Sequence, residues 1–347
     1  MNDALRTYVF ALAAFLLTLA LLKMGAGILI PLAVAGVVWY IIDALASVMI
    51  RLHLPRGLRT LIASALIIAA LIAVFDILSD NIADVVRDIP RFEARLVAML
   101  SDIEARLPAE LDLTWAEIVA LDDVQLLFQN IAASLAAFLG NLGLVIAYVL
   151  FLALSRETFG IRLERAIPDQ GRLARTRTLI QRAQRQIKAY LWAKTLMSLL
   201  TAAISALVLA LAGLDYVLFW AFWIFLLNFV PYIGSALGVL LPTLLALVQF
   251  DNYLLIGSVF TALTATQLTI DNIVEPQVMG KTLNIDPLVV IVALVLWGYL
   301  WGMIGVFLAI PLTAILIFLF YQFPGTRWIA ILLSRDGDLD WHHQPGP

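Results

Sequence analysis

The chain contains no cysteine and only three histidines, and just 14% of its 347 residues are charged. Without cysteine there is no disulfide framework, no thiolate metal site and no thiol nucleophile, and the redox compartment stays open. The formal charge is −3, so no basic field offers a footprint for nucleic acid. The shortage of charge excludes more than that. Soluble domains carry about 25% charged and about 45–50% apolar residues, whereas 63% of this chain is apolar and its mean hydropathy is +0.98. A globule of that composition has too little polar surface to face water, so the chain must be solvated by lipid.

What is present is a series of long apolar runs, at 7–22, 25–42, 60–78, 131–154, 189–211, 216–250, 254–270 and 287–321. Most approach or exceed the ~20 residues that cross a ~30 Å hydrocarbon core. Lipid offers no partners to free backbone groups, so such runs are helical; a barrel requires alternation, which they lack. The expected fold class is all-α, a polytopic helical membrane protein of about eight membrane segments. The first run resembles a secretory leader, but a second span follows Lys23 at once, and it is expected to be retained.

Sidedness follows from the basic residues in loops. Arg51, Arg56 and Arg59 lie between the second and third spans, and nine bases against three acids lie between Arg156 and Lys188. Both loops are expected in the cytoplasm. The stretch 79–129 instead carries eleven acids and four bases, and an odd number of spans separates it from either basic loop, so it is expected outside. Both termini then fall in the cytoplasm. The expected organisation is three spans in 1–78, an external acidic helical insertion in 79–130, a fourth span and basic amphipathic helix in 131–188, a membrane transport core in 189–322 and a polar cytoplasmic tail in 323–347.

Two stripes organise the polar segments. Ile82, Val85, Ile89, Phe92, Leu96, Met99, Ile103 and Leu107 recur every three or four residues, the pattern of one apolar helix face. At about 50 residues the insertion is too small to bury a core unaided and should pack on a neighbour or on a copy of itself. Leu173, Ile180, Ile187 and Leu191 share one face of the basic segment, with Arg175, Arg182, Arg185 and Lys188 on others. Contact with anionic lipid headgroups explains that arrangement. In the tail, His342 and His343 read as solvated residues and no metal site is expected.

The second half is where transport chemistry can reside. The run 216–250 breaks at Asn228-Phe-Val-Pro-Tyr-Ile-Gly-Ser235, leaving arms of about 15 residues, roughly 23 Å long and short of the ~30 Å core. Re-entrant or broken helices fit better than two full spans, although a plain kinked span is the bland alternative. Pro231 donates no backbone hydrogen bond and Gly234 admits conformations closed to other residues. Backbone exposed at such a break is tolerated only against protein or a water-filled cavity. Ser235 then begins a half-helix whose positive end favours an anionic or oxygen-rich solute. The run 287–321 pivots at Trp297-Gly-Tyr-Leu-Trp-Gly302 and carries Pro311, so Gly298, Gly302 and Pro311 join Pro231, Gly234 and Ser235 as hairpin or gate positions.

Between these two runs Thr264, Gln267, Asp271 and Glu275 are spaced three, four and four, one stripe along a largely apolar helix. A carboxylate at membrane depth costs roughly 2.5–3.5 kcal/mol on insertion scales, so its retention points to binding of a cation, a proton or a polar solute. The structural alternative places Asp271 and Glu275 at the cytoplasmic interface, capping a helix that ends at Pro276 and pairing with Lys281. Asp43, Asp76 and Asp215 lie at span ends and read as interfacial, and Lys194 is expected to snorkel outward.

Three blocks together, Asn228 to Ser235, Asp271-Asn-Ile-Val-Glu-Pro-Gln-Val-Met-Gly-Lys281, and Leu288-Val-Val-Ile with Gly302-Met-Ile-Gly-Val-Phe-Leu-Ala-Ile-Pro-Leu312, resemble the autoinducer-2 exporter family of bacterial membrane proteins. They cover about a third of the chain, and the insertion before the fourth span is similar to the family's layout. The resemblance implies a multi-pass inner-membrane permease exporting a small polar solute such as a signalling metabolite, without a cofactor, assembled as a homo-oligomer with a pentamer as one option. Other members are described as sodium/proton antiporters, which makes a proton or sodium ion the second expected ligand. Glu275 precedes Pro276 where the family more often has a neutral polar residue, which is compatible with a charge-coupled variant.

The leading reading is a secondary transporter with Asp271, Asn272, Gln267, Thr264, Glu275 and Asn228 along the path. Met279-Gly-Lys-Thr282 fails as a phosphate loop because Glu275 stands where the first glycine belongs and no strand precedes it. An intramembrane enzyme is disfavoured: His53, His342 and His343 all fall in loop or tail, far from any membrane-depth serine. A non-transporting scaffold or regulator is the alternative of another class.

Overall fold

The computed structural model describes residues 3–55, 57–73, 87, 91, 94–95, 98, 140, 142–279, 284–323 and 325–337. Nearly all of the insertion 79–130 and of the stripe read along it, Asp76, Lys281, and the end of the tail from 338 on, with His342 and His343, lie outside the described residues. Among the described residues all regular structure is helical. The elements are α1 (Asp3–Met24), α2 (Ala26–Val48), α3 (Gly57–Ala73), α4 (Leu142–Ala166), α5 (Gln170–Ala212), α6 (Val217–Leu227), α7 (Ile233–Gln249), α8 (Tyr253–Thr269), a π-helical turn (Ile270–Val274), α9 (Glu275–Met279), α10 (Pro287–Gln322) and α11 (Arg327–Leu333). The chain is a polytopic helical membrane protein, as its composition requires. By length and composition, helices at Ala26–Arg51, Gln170–Ala212, Tyr253–Val278 and Pro287–Gln322 can each cross a membrane, and the bent pair within α4 makes a fifth. Gly57–Ala73, α6 and α7 are shorter apolar helices.

Two compact units form, one from Met1–Ser64, Gly143–Lys194 and Met279–Pro347, the other from Ala65–Leu142 and Thr195–Val278. In the first, Ile187, Tyr190 and Leu191 of α5 pack with Val37 and Tyr40 of α2 and Ile310 of α10. Asp43 of α2 accepts from Lys188 of α5 at 2.7 Å, with both side chains about three-quarters buried. Lys194 is only 5% exposed; its amine is enclosed by protein rather than extended to a boundary.

α10 begins with Pro287 in its first turn and an Asp286 cap that accepts from Leu288 N–H at 2.8 Å. Although 36 residues long, it is not one rod. Gly302 adopts φ 65° and ψ −148°, which reverses the chain. A β-carbon on Gly305 would lie 2.0 Å from the Trp297 carbonyl oxygen, and one on Gly298 would lie 2.9 Å from Val306. Trp297 Nε1 donates to Thr313 Oγ1 at 3.2 Å, whereas a straight helix would separate these positions by about 24 Å. α10 is therefore a helical hairpin with its tip at Gly302, and counting it as a single span by length is wrong. Trp301 Nε1 near that tip donates to the Leu22 carbonyl at 3.0 Å and ties it to α1.

The second unit carries the other hairpin. α6 is apolar on every side, the mark of a helix enclosed by others, and it buries Phe219, Trp220, Trp223, Ile224 and Leu227. Leu209 of α5, Val239 and Ala246 of α7, and Val259 and Leu263 of α8 complete that core. At 11 residues α6 spans about 17 Å, about half of the ~30 Å core, so it dips in and returns as α7.

Candidate functional site

The turn between α6 and α7 is built from its backbone outward. Asn228 closes α6 with its N–H on the Ile224 carbonyl at 3.0 Å, and Val230 and Gly234 follow onto the Leu227 and Val230 carbonyls at 2.8 and 2.9 Å. Tyr232 is held at φ 64°, a conformation uncommon for a bulky residue. Gly234 meets a tighter limit: a β-carbon there would sit 1.8 Å from the Leu227 carbonyl oxygen. Only glycine lets the two arms touch at this point. The consequence is positional, because Asn228 and Ser235 are brought to one end of the hairpin with α8 alongside.

α8 starts at Asn252, whose side chain accepts from Leu254 and Leu255 N–H at 3.0 and 3.4 Å. It delivers Gln267 to the hairpin end and then widens into the π-helical turn that carries Asp271. Single π turns recur at functional sites because the extra residue re-aims the side chains around it.

Five side chains from four segments join there. Asn228 Nδ2 donates to Ser198 Oγ of α5 at 3.1 Å. Gln267 Nε2 donates to Asn228 Oδ1 at 3.0 Å and to Asp271 Oδ2 at 3.3 Å. Ser235 Oγ donates to the same Oδ2 at 2.6 Å. Ser198 is fully buried, Asn228 3% exposed and Gln267 5% exposed. The directions follow from the carboxylate: an ionised Asp271 only accepts, so Gln267 must present its amide nitrogen, which leaves Asn228 to receive on oxygen and pass its own N–H to Ser198. The acceptor role of one carboxylate oxygen thus orders the whole chain of bonds.

The network is incomplete in one respect. Asp271 Oδ1 is buried with no hydrogen-bond partner among the described residues, and so is Thr264 Oγ1 about two turns earlier on α8. A buried acceptor left unmatched costs about 1–3 kcal/mol, and more for a charged group. Two oxygen atoms with free lone pairs, one of them on a carboxylate, can receive a proton, a small hard cation or the hydroxyl of a solute.

The structure gathers Asn228, Gln267, Asp271 and Ser235 from the residues read in the sequence. It leaves the others elsewhere. Asn272 is exposed and donates to the Leu268 carbonyl of its own helix at 3.0 Å. Glu275 is half-buried and lies past the π turn, beginning α9. Pro231 lies in the turn itself, whereas Gly298, Gly302 and Pro311 belong to the α10 hairpin of the other unit. One participant in the network, Ser198, and one glycine of the separate α10 hairpin, Gly305, escaped the sequence reading. Ser198 has a legible signal, since Ser198, Thr201 and Ser205 are spaced three and four on α5 and are all buried. Gly305 is hidden among other glycines and is singled out only by the carbonyl it faces.

With this geometry in view, comparison with known proteins decides the family. A family model described as "AI-2E family transporter" matches residues 9–324. The chain belongs to that family. Among its relatives, "AI-2 transport protein TqsA" of Escherichia coli (strain K12) is 28% identical over 332 residues, 94% of this chain and 95% of that protein. "Putative transport protein YhhT" of the same organism is 28% identical over 331 residues, 93% of each chain. A Haemophilus influenzae transport protein of the same description is 25% identical over 340 residues, 96% of this chain and 97% of its own length. The family is one of transporters, and this member is a multi-pass membrane protein.

Proposed function

We propose that the chain is a secondary transporter that moves a small polar solute across the bacterial inner membrane, with the Asp271 network as the group that binds and releases during the cycle. The observation that carries this reading is the buried, unmatched Asp271 Oδ1 next to a hairpin tip held by Asn228, Gln267 and Ser235. A carboxylate of this kind is a functional group by default in a membrane segment. The naming of one relative as an AI-2 transport protein makes a hydroxyl-rich signalling metabolite the first solute to test, exported from a cytoplasm that holds both termini.

The unmatched oxygens of Asp271 and Thr264 favour a second reading, coupling to a sodium ion or proton, and with it antiport. Arg95 of the insertion pairs with Asp251 at the start of α8. That pairing supports the reading in which Arg95 and the 250–252 loop share the external side inferred from the loop charges and the α6–α7 hairpin enters from there. The family resemblance supports a homo-oligomer, and the basic segment of α5 contact with anionic lipid.

The test is flux in proteoliposomes holding small hydroxylated metabolites, with imposed proton or sodium gradients. Saturable flux that an imposed gradient accelerates supports the transporter and its coupling. Absence of flux for every solute and both ions would favour a scaffold or regulator.

A further inference from the structure

The first unit holds a cavity that the transport reading does not use. It has a volume of about 370 Å³ and lies where the end of α2, the start of α3 and the basic part of α5 meet. It is lined by the Asp43–Lys188 pair and Ser47, by Arg59 with Thr60, and by the apolar Ala46 and Ile50.

The charges in this cavity can be counted. Lys188 Nζ donates to the Asp43 carbonyl at 2.9 Å, to Asp43 Oδ2 at 2.7 Å and to Ser47 Oγ at 2.7 Å. An ammonium has three hydrogens, so all are committed and its charge is matched by Asp43. Arg59 is permanently cationic, and its buried Nε meets no acceptor among the described residues. It also sits in the first turn of α3, its own N–H on the Pro55 carbonyl at 3.1 Å, where the helix end adds partial positive charge. The Arg59 guanidinium therefore lines the cavity with one buried N–H donor unmatched among the described residues.

We propose that this cavity binds a phosphate ester of net single negative charge, clasped by the Arg59 guanidinium. The paired nonbridging oxygens of a phosphodiester match the fork of N–H donors that arginine presents. Ala46 and Ile50 give the esterified carbon side of the ligand an apolar surface. A cationic headgroup gains nothing here, since Asp43 is already committed to Lys188. The ester has two sources, an anionic lipid headgroup or a soluble phosphate compound. This inference does not rest on the transport reading, and its readout is binding rather than flux.

The test uses the full-length chain purified in detergent. Native mass spectrometry after incubation with dioleoylphosphatidylglycerol or dioleoylphosphatidylcholine measures lipid retention, and thermal unfolding with inorganic phosphate or acetate measures a soluble anion. The expected result is retention of the glycerol lipid at least about tenfold above the choline lipid, lost by a similar factor in Arg59→Gln and kept in Arg51→Gln. Ala46→Leu, which narrows the cavity and leaves Arg59 in place, gives the same loss and keeps the test informative should Arg59→Gln not fold. An Arg59-dependent rise in unfolding temperature with phosphate, without Arg59-dependent lipid retention, identifies the soluble source. Retention and phosphate response equal to wild type in both Arg59→Gln and Ala46→Leu overturn the proposal, as does an acetate response equal to that of phosphate.

Discussion

Ser235 Oγ donates to Asp271 Oδ2 at 2.6 Å, while Oδ1 of the same carboxylate is buried and unmatched among the described residues. One oxygen is held by the hairpin, and on the proposed reading the other is the one a ligand meets. On that reading the site couples what the carboxylate binds to where the hairpin tip stands, because protonation or a bound cation would weaken the bond that Ser235 makes to it.

Asp271→Asn keeps the shape and removes the charge. It is expected to lower gradient-driven flux at least about tenfold and to abolish its dependence on the imposed gradient, since the charged state is what the driving ion reads. Flux in proteoliposomes at several gradients measures this; wild-type rate with wild-type gradient dependence would dispose of Asp271 as the coupling group.

Ser235→Ala removes a hydrogen bond to a charged acceptor, an interaction of about 1.5–3 kcal/mol. The expected outcome is an altered apparent affinity for the coupling ion with a folded, monodisperse protein. Titration of flux against ion concentration reads it, and an unchanged curve would show that the hairpin and the carboxylate are not linked.

Asn228 and Gln267 occupy buried positions and satisfy one another. Asn228→Ala alone removes the acceptor of one Gln267 N–H and the donor to Ser198, and is expected to destabilise by about 1–3 kcal/mol. Replacing both, Asn228→Leu with Gln267→Met, should recover much of the stability and none of the transport, which separates architecture from function. Thermal unfolding and flux on the same preparations check the pair.

Gly234→Ala and Gly305→Ala each force a β-carbon to within about 2 Å of a carbonyl oxygen, at Leu227 and Trp297. Losses of at least about 3 kcal/mol are expected, with misassembled hairpins. Gly257, on α8, is the matched control, because a β-carbon added there meets nothing within 4 Å. Gly257→Ala should be neutral or stabilising by up to about 1 kcal/mol. Yield and melting temperature distinguish the three.

Asp43 and Lys188 are paired across α2 and α5 at intermediate exposure. A double-mutant cycle with Asp43→Asn and Lys188→Met is expected to give a coupling of about 1–2 kcal/mol, between the values of exposed and fully buried pairs. Denaturation in detergent measures it; a coupling near zero would show that the pair does not fasten the two helices.

Much of this protein follows from chain chemistry alone. Lipid solvation and the helical class are set by a composition that no aqueous fold can accommodate, and they need no knowledge of what packs where. The break before Ser235 was also legible, since Pro231 and Gly234 act on their own backbone. The helix periodicity of Thr264, Gln267 and Asp271 likewise put three polar groups on one face before any partner was known. Tertiary structure decided the rest. Asn272 reads as a path residue in the sequence, yet in the structure it is exposed and donates to the Leu268 carbonyl of its own helix. Ser198 enters the network through Asn228, 30 residues away in sequence, and Gly305 matters because the Trp297 carbonyl returns to meet it. Composition and periodicity are properties of neighbours along the chain; a hydrogen bond between segments and a clash across a hairpin exist only once distant backbones occupy the same few ångströms.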